Sequence, residues 1–229
     1  MFRGILLLLS IITCFNAVAS TNTTEVTPLN ITSLQDNGID KWEPKIFSGK
    51  SIYSVNKYKG RLALKAISHN AASGLVLTKK IDLSNTPYLN WSWLIENKLF
   101  GLDESSKSGD DFVARIYVVI DGGLWIWKTK SLSYVWSSNQ DSNLVWDNAF
   151  AGDSVKMMSV RGKMAKKSEW FQEKRNVYQD LIVAFGDKGS KARNLKAYQY
   201  IDIIAIMTDT DNSGKKAEAY YGDITFTKM

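Results

Sequence analysis

Charged side chains gather at a few places in this sequence where they could do chemistry. The first is Asp110-Asp111-Phe112-Val113-Ala114-Arg115-Ile116-Tyr117, which continues as Val118-Val119-Ile120. A run this apolar, carrying one Arg and two leading carboxylates, reads as a central strand. The period-two rule puts Phe112, Ala114, Ile116, Val118 and Ile120 on one face and Val113, Arg115, Tyr117 and Val119 on the other. The first face is core; the second can hold a ligand. Arg115 calls for an acidic partner because unpaired buried charge is expensive. Its planar fork suits the carboxylate of a sugar acid, or the side chain of Asp209 or Asp211. Asp110, Asp111 and Arg115 are then either a ligand-binding cluster or, as the default, an internal ion pair that fixes strand register.

The second place is Asp209-Thr210-Asp211-Asn212-Ser213-Gly214, which matches the opening of a calcium loop with oxygens at alternate positions and a glycine at the sixth. The closing carboxylate is missing: Tyr220 stands at its position and Glu218 comes two residues early. An Asx-rich hairpin turn is the simpler reading, and calcium requires a distant oxygen such as Asp223 to complete Asp209 and Asp211. No other cofactor is expected. A third group, Arg175-Asn176 with Asp180, falls on an expected helix where Asn176 and Asp180 are one turn apart, fit to dock the helix or to reach a pocket shared with Arg115.

His69 is the only histidine, which excludes a histidine-rich metal site. Ser73 is four residues on, roughly 13 Å along an extended chain, too far for direct proton transfer. Serine hydrolysis is therefore not expected. Trp91, Trp93, Trp125, Trp127 and Trp136 invite a sugar-stacking platform, although aromatic area of this kind normally belongs to a core.

The elements that must position these residues are short strands. Trp42–Phe47, Ser51–Val55, Arg61–Ile67, Gly74–Leu77, Leu89–Ile95, Leu132–Trp136, Ser154–Arg161, Ile201–Met207 and Ala217–Thr227 alternate or run apolar between turn residues. Trp170–Phe185 reads as the helix, with Phe171, Val177, Tyr178, Leu181, Ile182 and Phe185 as its apolar stripe and Gly186 as its stop. Many strands and one or two short helices predict a mainly β fold, an antiparallel β-sandwich of jelly-roll type.

Length and composition agree: 229 residues, 45% hydrophobic and 12% aromatic, suffice for one sizeable core. Arg3 precedes an apolar run, Ile5–Ile12, and Ala17-Val18-Ala19 offers small residues for cleavage, so residues 1–19 read as a secretory signal. Residues 20–40 read as a flexible lead and 41–229 as a single domain. Cleavage removes Cys14, the only cysteine, which leaves no disulfide or thiol chemistry and favours a periplasmic or secreted bacterial protein with no transmembrane helix. The net charge of +6 is local. Between Lys156 and Lys196 there are 11 basic residues and 4 acidic ones. In an exported protein nucleic acid is the least expected partner for such a segment, and a solvated face is the plainest account of it.

The motifs Ala72-Ser-Gly-Leu75, Trp91-Ser-Trp93, Asp110-Asp-Phe-Val-Ala-Arg115-Ile-Tyr117, Tyr134-Val-Trp136, Arg175-Asn176 with Asp180 and Phe185-Gly186, Thr208-Asp-Thr-Asp-Asn212 and Tyr221-Gly-Asp-Ile224 occur in order. As a set they resemble a bacterial exported family known only as domain of unknown function 3047, over roughly Trp42–Phe226. The resemblance implies no established activity. It implies an architecture broadly like carbohydrate-binding, galactose-binding-like sandwiches. The expectation is a non-catalytic module that binds carbohydrate or another cell-envelope component through Trp91, Trp93, Asp110, Asp111, Arg115, Tyr117, Trp136, Arg175, Asp180, Asp209 and Asp211. A carbohydrate-active hydrolase or lyase built on the Asp and Arg cluster, and a structural envelope protein, stand as alternatives.

Overall fold

The computed structural model describes residues 27–124 and 128–228. The expected secretory signal, Trp125 and Trp127 lie outside these residues. Fourteen strands are seen: β1 (Leu29–Asn30), β2 (Glu43–Ser48), β3 (Ile52–Tyr58), β4 (Arg61–His69), β5 (Ala72–Asp82), β6 (Tyr88–Ile95), β7 (Ala114–Ile120), β8 (Lys130–Trp136), β9 (Val145–Asn148), β10 (Gly152–Arg161), β11 (Phe171–Asn176), β12 (Tyr200–Asp209), β13 (Lys216–Tyr221) and β14 (Thr225–Thr227). Two helices, α1 (Val177–Phe185) and α2 (Lys191–Tyr198), separate β11 from β12. No helix among the described residues is long and apolar enough to cross a membrane.

The strands form two seven-stranded sheets. In the first, β6 carries β11 along one edge and β13 and β14 end to end along the other; β4 and β3 continue from β13, and β1 from β14. The second has the order β2-β5-β12-β7-β8-β10-β9. Pairing is antiparallel throughout except between β8 and β10, which run parallel. The expected sandwich is thus present, with one parallel pair inside it.

Alternation builds the core. Leu64 and Ala66 of β4, Trp91 and Trp93 of β6 and Tyr221 of β13 meet Ile116 and Val118 of β7, Tyr134 and Trp136 of β8 and Ile204 and Ile206 of β12 in one buried cluster. Val177 and Leu181 of α1 join it.

Three expectations change. The segment Phe171–Asn176 is a strand, not the start of the helix. Its register with β6 is continuous from Phe171 opposite Trp93 to Asn176 opposite Tyr88, and the Asn176 side chain then caps α1 by accepting from the Gln179 amide at 3.1 Å. Residues 29–40, within the expected lead of 20–40, are part of the fold. Ile31 and Leu34 are buried, and Asp223 accepts hydrogen bonds from Thr32 Oγ1 and the Leu34 amide, both at 2.9 Å. Finally, strand geometry in β7 begins only at Ala114, after a bend at Val113. Phe112 and Val113 therefore exchange faces: Val113 enters the main core, whereas Phe112 packs with Val135, Met157 and Trp146 on the other side of the sheet.

Candidate functional site

Arg115 projects from the face of the second sheet that points away from the core. Its cross-strand partner on β12 is Met207, and two residues further along that strand stands Asp209. The guanidinium Nη2 donates to Asp209 Oδ2, and Nη1 lies 3.7 Å from Asp110 Oδ1. Phe112 and Tyr117 flank the charge, each ring centroid 5.3 Å away, as aromatic faces do for a desolvated cation. Asn148 at the end of β9 gives its Nδ2 to Asp110 Oδ2 at 2.9 Å, while its Oδ1 accepts from the amides of Phe150 and Ala151, both at 3.0 Å. One carboxamide thus ties Asp110 to the turn that presents Phe150.

The turn after β12 closes the arrangement. Asp111 receives the Asn212 amide and Nδ2 on Oδ1, both at 3.2 Å, and the Ser213 amide on Oδ2 at 2.7 Å. This holds the Asp209–Gly214 hairpin, where Gly214 takes a left-handed φ of 66°. The outcome is a cleft of about 260 Å³ whose polar floor is Asp110, Arg115, Asp209, Asp211 and Asn212. Phe47 and Phe150, 66% and 57% exposed, stand at it. Phe47, Tyr117 and Met207 also line an adjoining apolar groove of about 220 Å³ with Val76, Val119 and Ala205, so the cleft continues along the sheet.

Electrostatically the site is crowded. Four carboxylates surround one guanidinium. Burial pushes the Asp209 carboxyl well above the usual range against the pull of Arg115, with Asp111, Asp110 and Asp211 pushing the same way. Asp110 and Asp211 are also raised, in each case chiefly by burial. Burial works to lower the Arg115 value, but its carboxylate neighbours, Asp209 first, outweigh that and hold the guanidinium charged. Three buried atoms here make no hydrogen bond: Asp110 Oδ1, Arg115 Nε and Asp209 Oδ1. Buried polar atoms without partners are costly, and three of them share this cleft.

Residues 40–225 match the model of a family described as a protein of unknown function, DUF3047. The chain belongs to this family. No curated protein matches it. Solved structures with similar folds include one of the carbohydrate-binding modules of the beta-sandwich superfamily, with TM-score 0.41 and 10% identity, covering 89% of this chain and 63% of that one. The cellulose-induced protein Cip1 gives 0.45 and 10%, covering 83% and 92%. The xyloglucanase domain of NopAA, a type three effector from Sinorhizobium fredii, gives 0.44 and 13%, covering 81% and 92%.

The other residues singled out by sequence lie elsewhere in this DUF3047 protein. Trp91, Trp93 and Trp136 are not a platform. They are at most 2% exposed and pack on one another, Trp91 against Trp93 at 5.3 Å and Trp93 against Trp136 at 5.7 Å, so their faces are already covered. Arg175 holds Asp180 through Nε at 2.9 Å and Nη2 at 2.5 Å, and Tyr134 donates to the same carboxylate at 2.9 Å. Tyr134 is on the core face of β8, so this cluster fastens α1 from the opposite side of the sheet to Arg115. Asp223 is spent on residues 32–34 in the first sheet and stands outside the acidic group, which Asp111 completes instead.

Of the 11 cations in the basic segment, Lys156, Arg161, Lys163, Lys166 and Arg175 each pair with a carboxylate. Sequence reasoning missed Phe47, Phe150, Asn148 and Asn212. For Phe47, Phe150 and Asn212 the available signal was position, beside turn-forming Ser48-Gly49, Ala151-Gly152 and Ser213-Gly214; the buried Asn148 left none.

Proposed function

We propose that this chain is an exported, non-catalytic module that binds carbohydrate of the cell envelope in the cleft on the outer face of the second sheet. The observation that carries this reading is the pairing of two exposed phenylalanine rings, Phe47 and Phe150, with a floor of carboxylates, carboxamide and guanidinium. A pyranose offers an apolar ring face and a rim of hydroxyl groups that both donate and accept. Rings meet the first; Asp110, Asp211, Asn212 and Arg115 meet the second. The adjoining apolar groove gives room for a second residue of a chain.

The test is binding of the leaderless protein to a panel of envelope polysaccharide fragments by calorimetry. One glycan class should bind, and Phe47→Ala and Phe150→Ala should each weaken it about tenfold, the loss of about 1.4 kcal/mol expected for a central aromatic anchor. Binding untouched by both changes, or none across the panel, would sink the proposal. The raised carboxyl of Asp209 favours a second reading, a hydrolase with a protonated acid in the cleft. Release of reducing ends from the bound glycan, lost in Asp209→Asn, would select it.

A further inference from the structure

The acidic side of the cleft has a feature that a sugar site does not require. Asp111, Asp209 and Asp211 each bring a carboxylate oxygen to within 4.8 Å of the other two. Oxygens around one calcium ion sit about 2.3–2.6 Å from it, so two ligands on opposite sides are separated by about 4.6–5.2 Å and adjacent ones by less. The mutual distances of the three oxygens are therefore compatible with a single ion between them.

From these atoms we infer a divalent cation site, for calcium, formed by Asp111, Asp209 and Asp211. Three further observations bear on it. Asp209 is fully buried; its Oδ2 accepts from Arg115, but its Oδ1 has no hydrogen-bond partner. A carboxylate that bridges a guanidinium and a metal ion uses both oxygens. Four aspartates face the single guanidinium of Arg115, and a divalent cation is a direct way to offset the carboxylate charge in excess of it. The donors are all oxygens on a short hairpin and on the segment entering β7, which selects a hard cation over zinc or copper. Asp211 is partly open to solvent, so water can fill the remaining positions.

The site ties the β12–β13 hairpin to the start of β7. It differs from the expected calcium loop in its third ligand, Asp111 from a distant part of the chain in place of Asp223.

The experiment is thermal unfolding of the leaderless protein with calcium chloride or with chelator, alongside calcium titration by calorimetry. Calcium at a hundred times its Kd should raise Tm by about 5–10 °C. Asp211→Asn, a change at the rim that leaves the Arg115–Asp209 pair intact, should abolish most of that rise while the chelated variant still melts cooperatively. The Phe47→Ala protein should keep the full rise. No heat and no Tm shift with calcium would overturn the inference, as would an undiminished shift in both Asp211→Asn and Asp111→Asn. The inference does not rest on the carbohydrate reading. Glycan binding without a calcium response removes only the ion, and a calcium response without glycan binding removes only the glycan.

Discussion

At the scale of single residues, the balance at Arg115 governs the site. Arg115 is 5% exposed and its guanidinium faces Asp209 and Asp110, so the cluster holds only while that charge is present. Arg115→Met keeps the apolar stem between Phe112 and Tyr117 but leaves buried carboxylates uncompensated. Breaking such a pair from one side should cost about 3–5 kcal/mol, readable as a fall in the urea midpoint at unchanged m-value.

Another buried acid, Glu104, stands apart from the cleft. Burial raises the Glu104 carboxyl despite hydrogen bonds from Ser137, Asn139 and the Ser138 amide. Because its value is higher folded than unfolded, the folded protein keeps this proton after the unfolded chain has lost it. Glu104 therefore favours folding most at low pH, and its contribution declines as pH rises from about 4.3 towards the raised folded value. Glu104→Gln should flatten that part of the stability profile. A slope unchanged by the substitution would show that Glu104 does not titrate there.

Among the elements, the segment before β2 offers the most specific test. Asp223 tethers it, accepting from Thr32 and Leu34, while Trp42 Nε1 donates to the Ile31 carbonyl at 3.2 Å. Asp223→Ala should loosen residues 31–34 locally, seen as faster amide exchange there, with the Leu34 amide the most affected and the β7 and β12 amides unchanged.

Elements also show what the sequence could disclose. The alternation of β7 from Ala114 onward was readable because one Arg in an apolar run marks its face, and Asp209 was one of two partners Arg115 could have been expected to take. Phe112 and Val113 were not readable, since a bend two residues before a strand leaves no trace in a period-two pattern. Phe171–Asn176 misleads for a related reason. Phe171 falls in step with the helical stripe of α1, yet Phe171, Glu173 and Arg175 also alternate, and only the β6 edge waiting for a partner decides between the periods. The tryptophans pointed to a core by default, but an aromatic side chain also suits a sugar, so their sequence alone did not decide between the two.

For the molecule as a whole, the two sheets divide the labour. The first closes the core with Trp91 and Trp93; the second seals the same core with one face and carries the cleft on the other. A core substitution should therefore separate stability from binding. Trp136→Phe, trimmed within the shared cluster and reaching none of the cleft-lining residues, should lower the urea midpoint yet leave the affinity of the surviving folded protein for calcium or glycan within about twofold. A parallel loss of affinity would mean that the sheet transmits packing changes to its outer face.

The pairing of β1 with β14 joins Leu29 to Phe226 and Asn30 to Thr225. Among the described residues, the first strand thus pairs with the last. Until Thr225–Thr227 are in place, Ile31 and Leu34 lack the cover they have in the finished fold, and the Ile31 amide lacks its acceptor, the Ile224 carbonyl. Closure of this edge of the first sheet therefore waits on Thr225–Thr227: without them, Leu29–Leu34 is an apolar segment with an unpaired strand edge.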